Sequence, residues 1–273
     1  ASSLQKMTIA RDLTEHDLKL TEPRGLNEEQ LKVWSAAYEP KNEAFRKAQL
    51  EGKALVRWKY QRYVKDYLRC VAGVDAAVGR VLDHLETAGL RENTIVVYAS
   101  DQGFYLGEHG WYDKRWMFEE SMRMPLLLSW PARVPAGQRP GALVQNIDYA
   151  PTLLEAAGVE IPARMQGRSM LPLLTGGDPP AWRDAVYYHY YEDGGEHQVP
   201  AHEGVRTARY KLVHFYRDDG FNLFDLEKDP SEMQSVHDDE AYAEVLARMK
   251  ATLERARADY AVPPNTPRGT PLR

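Results

Sequence analysis

The sequence predicts an α/β fold: a helix-flanked sheet followed by a small antiparallel sheet with a terminal helix. Three observations carry this prediction. A long helical periodicity over residues 56–88 passes at once into the apolar run Thr94-Ile95-Val96-Val97-Tyr98-Ala99-Ser100. A second run, Met124-Pro125-Leu126-Leu127-Leu128-Ser129-Trp130, follows a polar loop and precedes another helix. Beyond about residue 180 the pattern changes to short β-rich runs separated by tight turns. Helix, strand, loop, strand, helix is the order of an open α/β sheet, whereas closely spaced short strands argue for an antiparallel meander. The stretch Thr175-Gly176-Gly177-Asp178-Pro179-Pro180 divides the two parts, giving predicted domains 1–180 and 181–273.

The elements follow from local chemistry. Residues 1–55 are polar and helix-prone, and Pro23-Arg24-Gly25 and Pro40 are predicted to break them into short surface helices. Asn27-Glu28-Glu29-Gln30 has the pattern of a helix start, with Asn27 as N-cap and a glutamine three residues on. Tyr60, Tyr63, Val64, Tyr67, Leu68, Val71, Val74, Val78, Val81, Leu82 and Leu85 recur at three- and four-residue steps, one apolar stripe on one long helix. Gly89 ends it, and Cys70, beside the stripe, is predicted to be a small core residue. The run at 94–100 reads as a buried parallel strand. The run at 124–130 reads as another, entered through proline. Asp148 is placed to cap a helix through Pro151-Thr152-Leu153-Leu154-Glu155-Ala156-Ala157, which Gly158 stops.

Strands are then predicted at 186–191, 204–207, 211–216 and 221–226, three of them joined by turns at Ala208-Arg209-Tyr210 and Asp218-Asp219-Gly220. A helix from about 239 to 259 carries Tyr242, Val245, Leu246, Met249 and Leu253 on one face. The tail from Pro263 to Gly269 is predicted to be loose.

Composition narrows the function. The 273 residues are 43% hydrophobic and 27% charged, a globular balance. Lys plus Arg is 35 and Asp plus Glu is 40. Such a mild acidic excess gives no support to a nucleic-acid or anionic-membrane role. No apolar run approaches the roughly 18 residues of a membrane-spanning helix. One cysteine excludes an internal disulfide and a multi-cysteine metal site. The opening Ala1-Ser2-Ser3-Leu4 has neither initiator Met nor signal-peptide pattern, so either a leader has been removed or the chain starts partway through a longer protein; the motifs further along favour the second.

The chemistry gathers where the first strand runs out. In open α/β sheets ligands bind outside the carboxyl ends of strands. There Asp101 offers a carboxylate and Gln102 an amide oxygen, hard donors that suit Ca²⁺ or Mg²⁺. Gly103 lets the backbone turn so that both face one point. The same three residues also suit a plain capped turn. The loop that follows supplies Lys114, a compact cation for an anionic group, and His109, a proton or hydrogen-bond donor. Its aromatics Tyr105, Trp111 and Tyr112 suit either stacking on a pyranose or packing of the loop.

These motifs carry a family resemblance. Ser100-Asp101-Gln102-Gly103, Leu106-Gly107-Glu108-His109-Gly110, Lys114-Arg115 and Glu120-Ser121-Met122-Arg123-Met124-Pro125-Leu126 resemble the second half of the formylglycine-dependent type I sulfatases, of the alkaline-phosphatase-like superfamily. Asp148-Tyr149-Ala150-Pro151-Thr152-Leu153-Leu154, Gly167-Arg168-Ser169-Met170, Gly204-Val205-Arg206-Thr207-Ala208-Arg209-Tyr210-Lys211 and Leu223-Phe224-Asp225-Leu226-Glu227-Lys228-Asp229-Pro230 fit the same family in the same order. Tyr188-His189-Tyr190-Tyr191 and the stretch from His197 to Arg206 look most like bacterial enzymes of the N-acetylglucosamine-6-sulfatase type.

The resemblance implies hydrolysis of sulfate esters on sulfated sugars, such as N-acetylglucosamine-6-sulfate units of glycosaminoglycans. It implies Asp101 and Gln102 as two Ca²⁺ ligands and Lys114 as the lysine that contacts the sulfate and the formylglycine. It places part of the substrate pocket on the C-terminal subdomain, where His197, His202 and Arg206 are the expected sugar contacts; the alternative is that Arg206 salt-bridges within the meander and the histidines face solvent. It also implies a periplasmic or secreted protein. The formylglycine motif, Cys or Ser-x-Pro or Ala-x-Arg, is absent. Its nearest approach, Cys70-Val71-Ala72-Gly73-Val74, lacks the arginine and reads as mid-helix. The chain is therefore expected to be the C-terminal portion of a sulfatase, inactive alone, with the missing N-terminal half as its partner. The alternatives are a phosphodiesterase or phosphonate hydrolase of the same superfamily, against which Gln102 in place of a zinc-binding His argues, and a non-catalytic sulfated-glycan-binding protein.

Overall fold

A computed structural model describes residues 6–176 and 182–264. The opening Ala1-Ser2-Ser3-Leu4, residues 177–180 of the expected boundary and the tail from Asn265 lie outside the described residues. Helices α1 (Glu28–Ala48) and α2 (Gly52–Thr87) come first. Strands β1 (Val96–Ala99), β2 (Tyr105–Leu106) and β3 (Tyr112–Asp113) precede the single-turn helix α3 (Glu119–Met122) and strand β4 (Leu126–Ser129). Helices α4 (Tyr149–Ala156) and α5 (Leu171–Leu174) lead to strands β5 (Ala185–Tyr190), β6 (His202–Thr207), β7 (Tyr210–Phe215) and β8 (Gly220–Asp225). Helix α6 (Ala243–Asp259) follows. The described residues form two compact units, 6–84 with 104–114, and 85–103 with 115–264. Residues 115–176 thus share a unit with β5–β8.

In the first unit the local start signal of α1 is realised in full. Asn27 Oδ1 accepts from Gln30 N–H at 2.9 Å and Gln30 Oε1 accepts from Asn27 N–H at 3.1 Å. Pro40 does not break the helix, which runs through it for 21 residues. The carbonyl that proline leaves without a helical donor belongs to Ala36, an exposed residue. Ile9, Leu13 and Leu18 bury against Trp58, Tyr63 and Tyr112, so the chain before α1 wraps the start of α2 and the β2–β3 hairpin. Asn42 Nδ2 and Arg62 Nε donate to the carbonyls of Lys19 (2.9 Å) and Leu18 (3.0 Å), tying that wrap to both helices.

The apolar stripe of α2 forms as predicted but is not covered along its whole length. Leu68, Val71, Val74 and Val81 remain 53, 43, 46 and 56% exposed, and Cys70 is exposed rather than core. Periodicity marks which face of a helix is apolar; it does not say what lies against that face.

In the second unit β1 differs from expectation. It pairs antiparallel with β4, Val97 opposite Leu128, and both strands are half open to water. Val97, Tyr98 and Leu127 are exposed. A continuous apolar run signals a strand with two apolar faces, but its partner and direction are set at long range. Asp148 likewise does more than cap a helix. Its buried carboxylate accepts from the backbone N–H of Gln145 (2.7 Å) and Arg168 (2.8 Å) and pairs with Arg183 through both guanidinium nitrogens. It makes no side-chain cap bond to α4. A Cβ at Gly167 would lie 1.9 Å from the carbonyl oxygen of Ile147, which leaves only glycine at that crossing.

The meander appears as read, in the order β5-β6-β7-β8, every pair antiparallel. Alternation divides its faces. Val205, Leu212 and Leu223 pack against Met249, Leu253 and Ala256 of α6, with Tyr242, Val245 and Leu246 at the margin. On the opposite face, His202, Gly204 and Arg206 of β6 and Lys211 of β7 meet residues 116–119.

At the end of β8, Asp225 accepts from Arg209 Nε (3.0 Å) and Nη2 (2.8 Å) and from the Tyr242 hydroxyl (3.0 Å). The guanidinium, helped by that hydroxyl and opposed by burial, holds its carboxyl down at about 2, against an ordinary 3.8. A depressed carboxyl adds stability above its unfolded value and loses it as pH falls through the folded one. Between pH 4 and pH 2 the melting temperature of the wild type is therefore expected to fall more steeply than that of Arg209→Gln; parallel curves would remove this pair from the acid response.

Candidate active site

The turn after β1 is built in the second unit. Ser100 Oγ donates to the carbonyl of Gln102 at 2.7 Å, closing a tight turn whose tip is Asp101. Asp101 is exposed and Gln102 half-buried. The role of Gly103 is not the one read from sequence. Its φ is not positive; instead a Cβ there would lie 1.9 Å from the carbonyl oxygen of Glu120. Gly103 N–H donates to the carbonyl of Ser121 at 2.7 Å. The turn is thus pressed against the backbone of α3. Gly103→Ala is expected to destabilise the protein by about 2 kcal/mol or more, because the clash is with backbone and not with a movable side chain. A urea midpoint unchanged from wild type would contradict this contact.

The donor chemistry of Asp101 and Gln102 fits a hard cation, but two oxygens fall short of the 6–8 that Ca²⁺ takes. Among the described residues no group of three or more His, Cys, Asp or Glu is arranged to hold a metal ion. The pair is therefore a partial donor set.

His109 and Lys114 belong to the first unit, on the β2–β3 hairpin. Tyr105 opposes Asp113 and Leu106 opposes Tyr112. The bend needs unusual backbone: Gly107 has φ 122°, and a Cβ there would meet the Tyr60 ring at 2.7 Å. His109 itself has φ 56°. Its ring lies 6.0 Å from Tyr105 and 5.2 Å from Trp111, so the imidazole is held within an aromatic group. Tyr105 and Trp111 are buried, and the Tyr112 hydroxyl donates to the carbonyl of Asp12 at 3.2 Å. These three aromatics pack the hairpin and are not arranged as a sugar platform. Lys114 follows Asp113, whose φ is 74°. Its Nζ lies 3.7 Å from Asp113 Oδ1 and its side chain stays one-third exposed, an accessible ammonium at the hairpin's end.

The residues expected to contact sugar are used differently. His197 lies in a turn closed by the Gly194–Val199 bridge and is half-buried. His202, the first residue of β6, has no exposed surface and is neither a solvent-facing residue nor one within reach of a ligand. Its ring is stacked with Trp116 (5.5 Å) and Tyr188 (5.7 Å), and its Nδ1 lies 2.9 Å from the carbonyl oxygen of Pro200. Arg206 pairs with Glu119 at 3.1 Å. Both face residues 116–119 because even-numbered positions of β6 share that side. The Tyr188 hydroxyl adds a bond to the carbonyl of Arg115 at 3.0 Å, where the backbone has φ 104°. Reading by sequence missed Glu119 and Glu232, and named Tyr188 and Lys211 only as parts of family motifs. The signal available was the alternation of polar residues at 202, 206 and 211 within runs that otherwise read as strand.

Burial pushes His202 down to about 4 from an ordinary 6.5, despite the Pro200 carbonyl, so the ring is neutral. Stability from a depressed histidine is complete above its unfolded value and is lost as pH falls toward the folded one. Between pH 7 and pH 4.5 the wild type should lose about 2–3 kcal/mol more unfolding free energy than His202→Phe. Urea unfolding at both pH values checks this, and equal losses would refute it.

Two sequence families match this architecture. Residues 107–259 match the family described as N-sulphoglucosamine sulphohydrolase, C-terminal, and residues 31–159 match the family described as Sulfatase. The first covers more than half of the chain, which therefore belongs to the sulfatase family, of the alkaline-phosphatase-like fold. It is 47% identical over 230 residues to the N-acetylglucosamine-6-O-sulfatase of Bacteroides thetaiotaomicron, an alignment that takes in 83% of this chain and 41% of that one. A protein solved in complex with its substrate D-glucosamine-2-N,6-O-disulfate superposes with a TM-score of 0.89 at 43% identity, over 94% of this chain and 56% of that one. The phosphonate monoester hydrolase of Silicibacter pomeroyi is more distant, with a TM-score of 0.66 at 30% identity over 77% and 43% of the two chains. The chain thus spans about half the length, or less, of the relatives it matches.

Proposed function

We propose that this chain is the C-terminal portion of a sulfatase that removes 6-O-sulfate from glucosamine or N-acetylglucosamine units of glycosaminoglycans. The observation that carries this reading is the superposition, over 94% of the chain, on a protein bound to a 6-O-sulfated glucosamine. The 47% identity to an N-acetylglucosamine-6-O-sulfatase supports it. Lys114 places its ammonium against the sulfate group, where it offsets negative charge. His109 holds or donates a proton toward the departing sugar oxygen. Asp101 and Gln102 contribute two of the oxygens around Ca²⁺. Formylglycine, the family's nucleophile, comes from a preceding segment of the same protein together with the remaining metal ligands. That segment is also the partner for the exposed apolar residues of α2 and, separately, for those of β1 and β4. His197 remains the candidate sugar contact on the second sheet, whereas His202 and Arg206 hold the framework. The protein works in the periplasm or outside the cell, and its recovery in those fractions tests that point.

The chain alone is expected to show no turnover of an aryl sulfate or of N-acetylglucosamine-6-sulfate. The product of the whole reading frame, with an upstream Cys or Ser-x-Pro or Ala-x-Arg, is expected to hydrolyse both. Lys114→Ala should then lower kcat/KM by about 100-fold or more. Turnover by the isolated chain, free of contaminating enzyme, would refute the C-terminal-portion reading. Binding of sulfated glycan by a reading frame without that upstream motif would favour a glycan-binding protein. Preference for a phenylphosphonate ester over the sulfate would favour the phosphonate hydrolases.

A further inference from the structure

Four charged side chains meet around α3 in the second unit, and nothing in the family reading uses two of them. Glu119 Oε1 lies 2.9 Å from Lys211 Nζ, and the Glu119 carboxylate accepts from Arg206 Nε (3.3 Å) and Nη2 (3.1 Å). Lys211 has no exposed surface and meets a second carboxylate, Glu232 Oε1, at 2.7 Å. The other oxygen of Glu232 accepts the backbone N–H of Glu119, the first residue of α3, at 2.7 Å. Two cations and two carboxylates make a neutral set. Burial raises Glu232 even beside Lys211, whereas Lys211 and Arg206 together outweigh burial at Glu119 and lower it.

A buried ionic set of this kind contributes little net stability over apolar residues of the same size, but it fixes geometry. Here geometry is what α3 lacks by itself. A helix of four residues is far below the length that sustains itself, and its N-cap Phe118 makes no side-chain cap bond. Its place comes from the ionic set and from Trp116, Met117 and Phe118 buried on the sheet. The far side of the same turn receives the metal-donor loop: Gly103 N–H on Ser121 O at 2.7 Å, and the Gly103 Cα against Glu120 O with no room for a methyl group.

We propose that Glu119, Lys211, Glu232 and Arg206 are positioning residues for the Asp101–Gln102 donor pair, transmitting the fixed geometry of β6 and β7 through α3 to the Gly103 contact. The inference rests on the reading of Asp101 and Gln102 as ligands, but its test does not. Amide hydrogen exchange is measured on this chain as wild type, Glu119→Gln and Leu253→Ala. In Glu119→Gln the amides of Gly103 and of residues 121–123 should exchange at least ~10-fold faster, while those of Leu212 and Leu223 keep wild-type rates. Leu253→Ala, which weakens the α6 side of the sheet, should lower protection generally without singling out Gly103. Should Glu119→Gln fail to fold, Arg206→Gln removes a partly exposed member of the set and should give the same local pattern. Gly103 exchange that stays at the wild-type rate while α3 opens would overturn the proposal, as would uniform acceleration across β5–β8. Unchanged turnover of the full-length enzyme in Asp101→Ala would instead overturn the ligand reading, whatever the exchange pattern.

Discussion

The carboxylate of Glu119, held by one buried lysine and one arginine, is the interaction on which the second unit turns. Residues 116–119 lie on one face of the four-stranded sheet, and α6 lies on the other. Apolar burial alone would let the 116–119 segment slide, because Trp116, Met117 and Phe118 ask only to be covered. The ion pairs and the Glu232 bond to the first N–H of α3 remove that freedom. The order of elements then acquires a physical reason. The strand pair β6–β7 supplies the cations that hold α3, and α3 supplies the wall on which the Asp101–Gln102 turn rests.

This view gives each charged residue of one family motif a partner. In the run from Gly204 to Lys211, Gly204 leaves room for the Met117 sulfur, which would lie 2.5 Å from any Cβ there. Arg206 and Lys211, cross-strand neighbours, reach the same carboxylate. Arg209, in the turn between them, binds Asp225 at the end of β8 and also lies 3.0 Å from Glu227. This strand–turn–strand stretch is a clamp. The same applies to His202, whose ring is neutral because charging it would require desolvating an imidazolium among aromatic rings.

What could be read from sequence was what short-range chemistry decides. The Asn27–Gln30 capping box, the 3.6-residue stripe of α2, the period-two runs of β5–β8 and the apolar face of α6 each depend on residues within a few positions of one another. What could not be read was pairing at a distance. The bond from Glu119 to Glu232 spans 113 residues and that from Arg206 to Glu119 spans 87. The direction of β1 depends on β4, thirty residues on, and no local pattern encodes it. Of the candidate site, Asp101, Gln102, His109 and Lys114 stand at exposed or half-buried positions outside the regular strands. Sequence alone could not decide whether His202 and Arg206 face a ligand or the protein, because the rings beside His202 and the carboxylate beside Arg206 come from distant segments.

The alternation along β6 has a further consequence for how this stretch tolerates change in length. Glu203, between His202 and Gly204, points to the opposite side of the sheet and there receives the Tyr187 hydroxyl at 2.7 Å and the Arg257 guanidinium. Inserting or deleting one residue inside 202–206 would exchange these two environments, driving the carboxylate among the rings of Trp116 and Tyr188 and the imidazole onto the guanidinium. The turn at 194–199 just upstream carries no such parity. A change in length between β5 and β6 is therefore expected to be tolerated in that turn and not within β6.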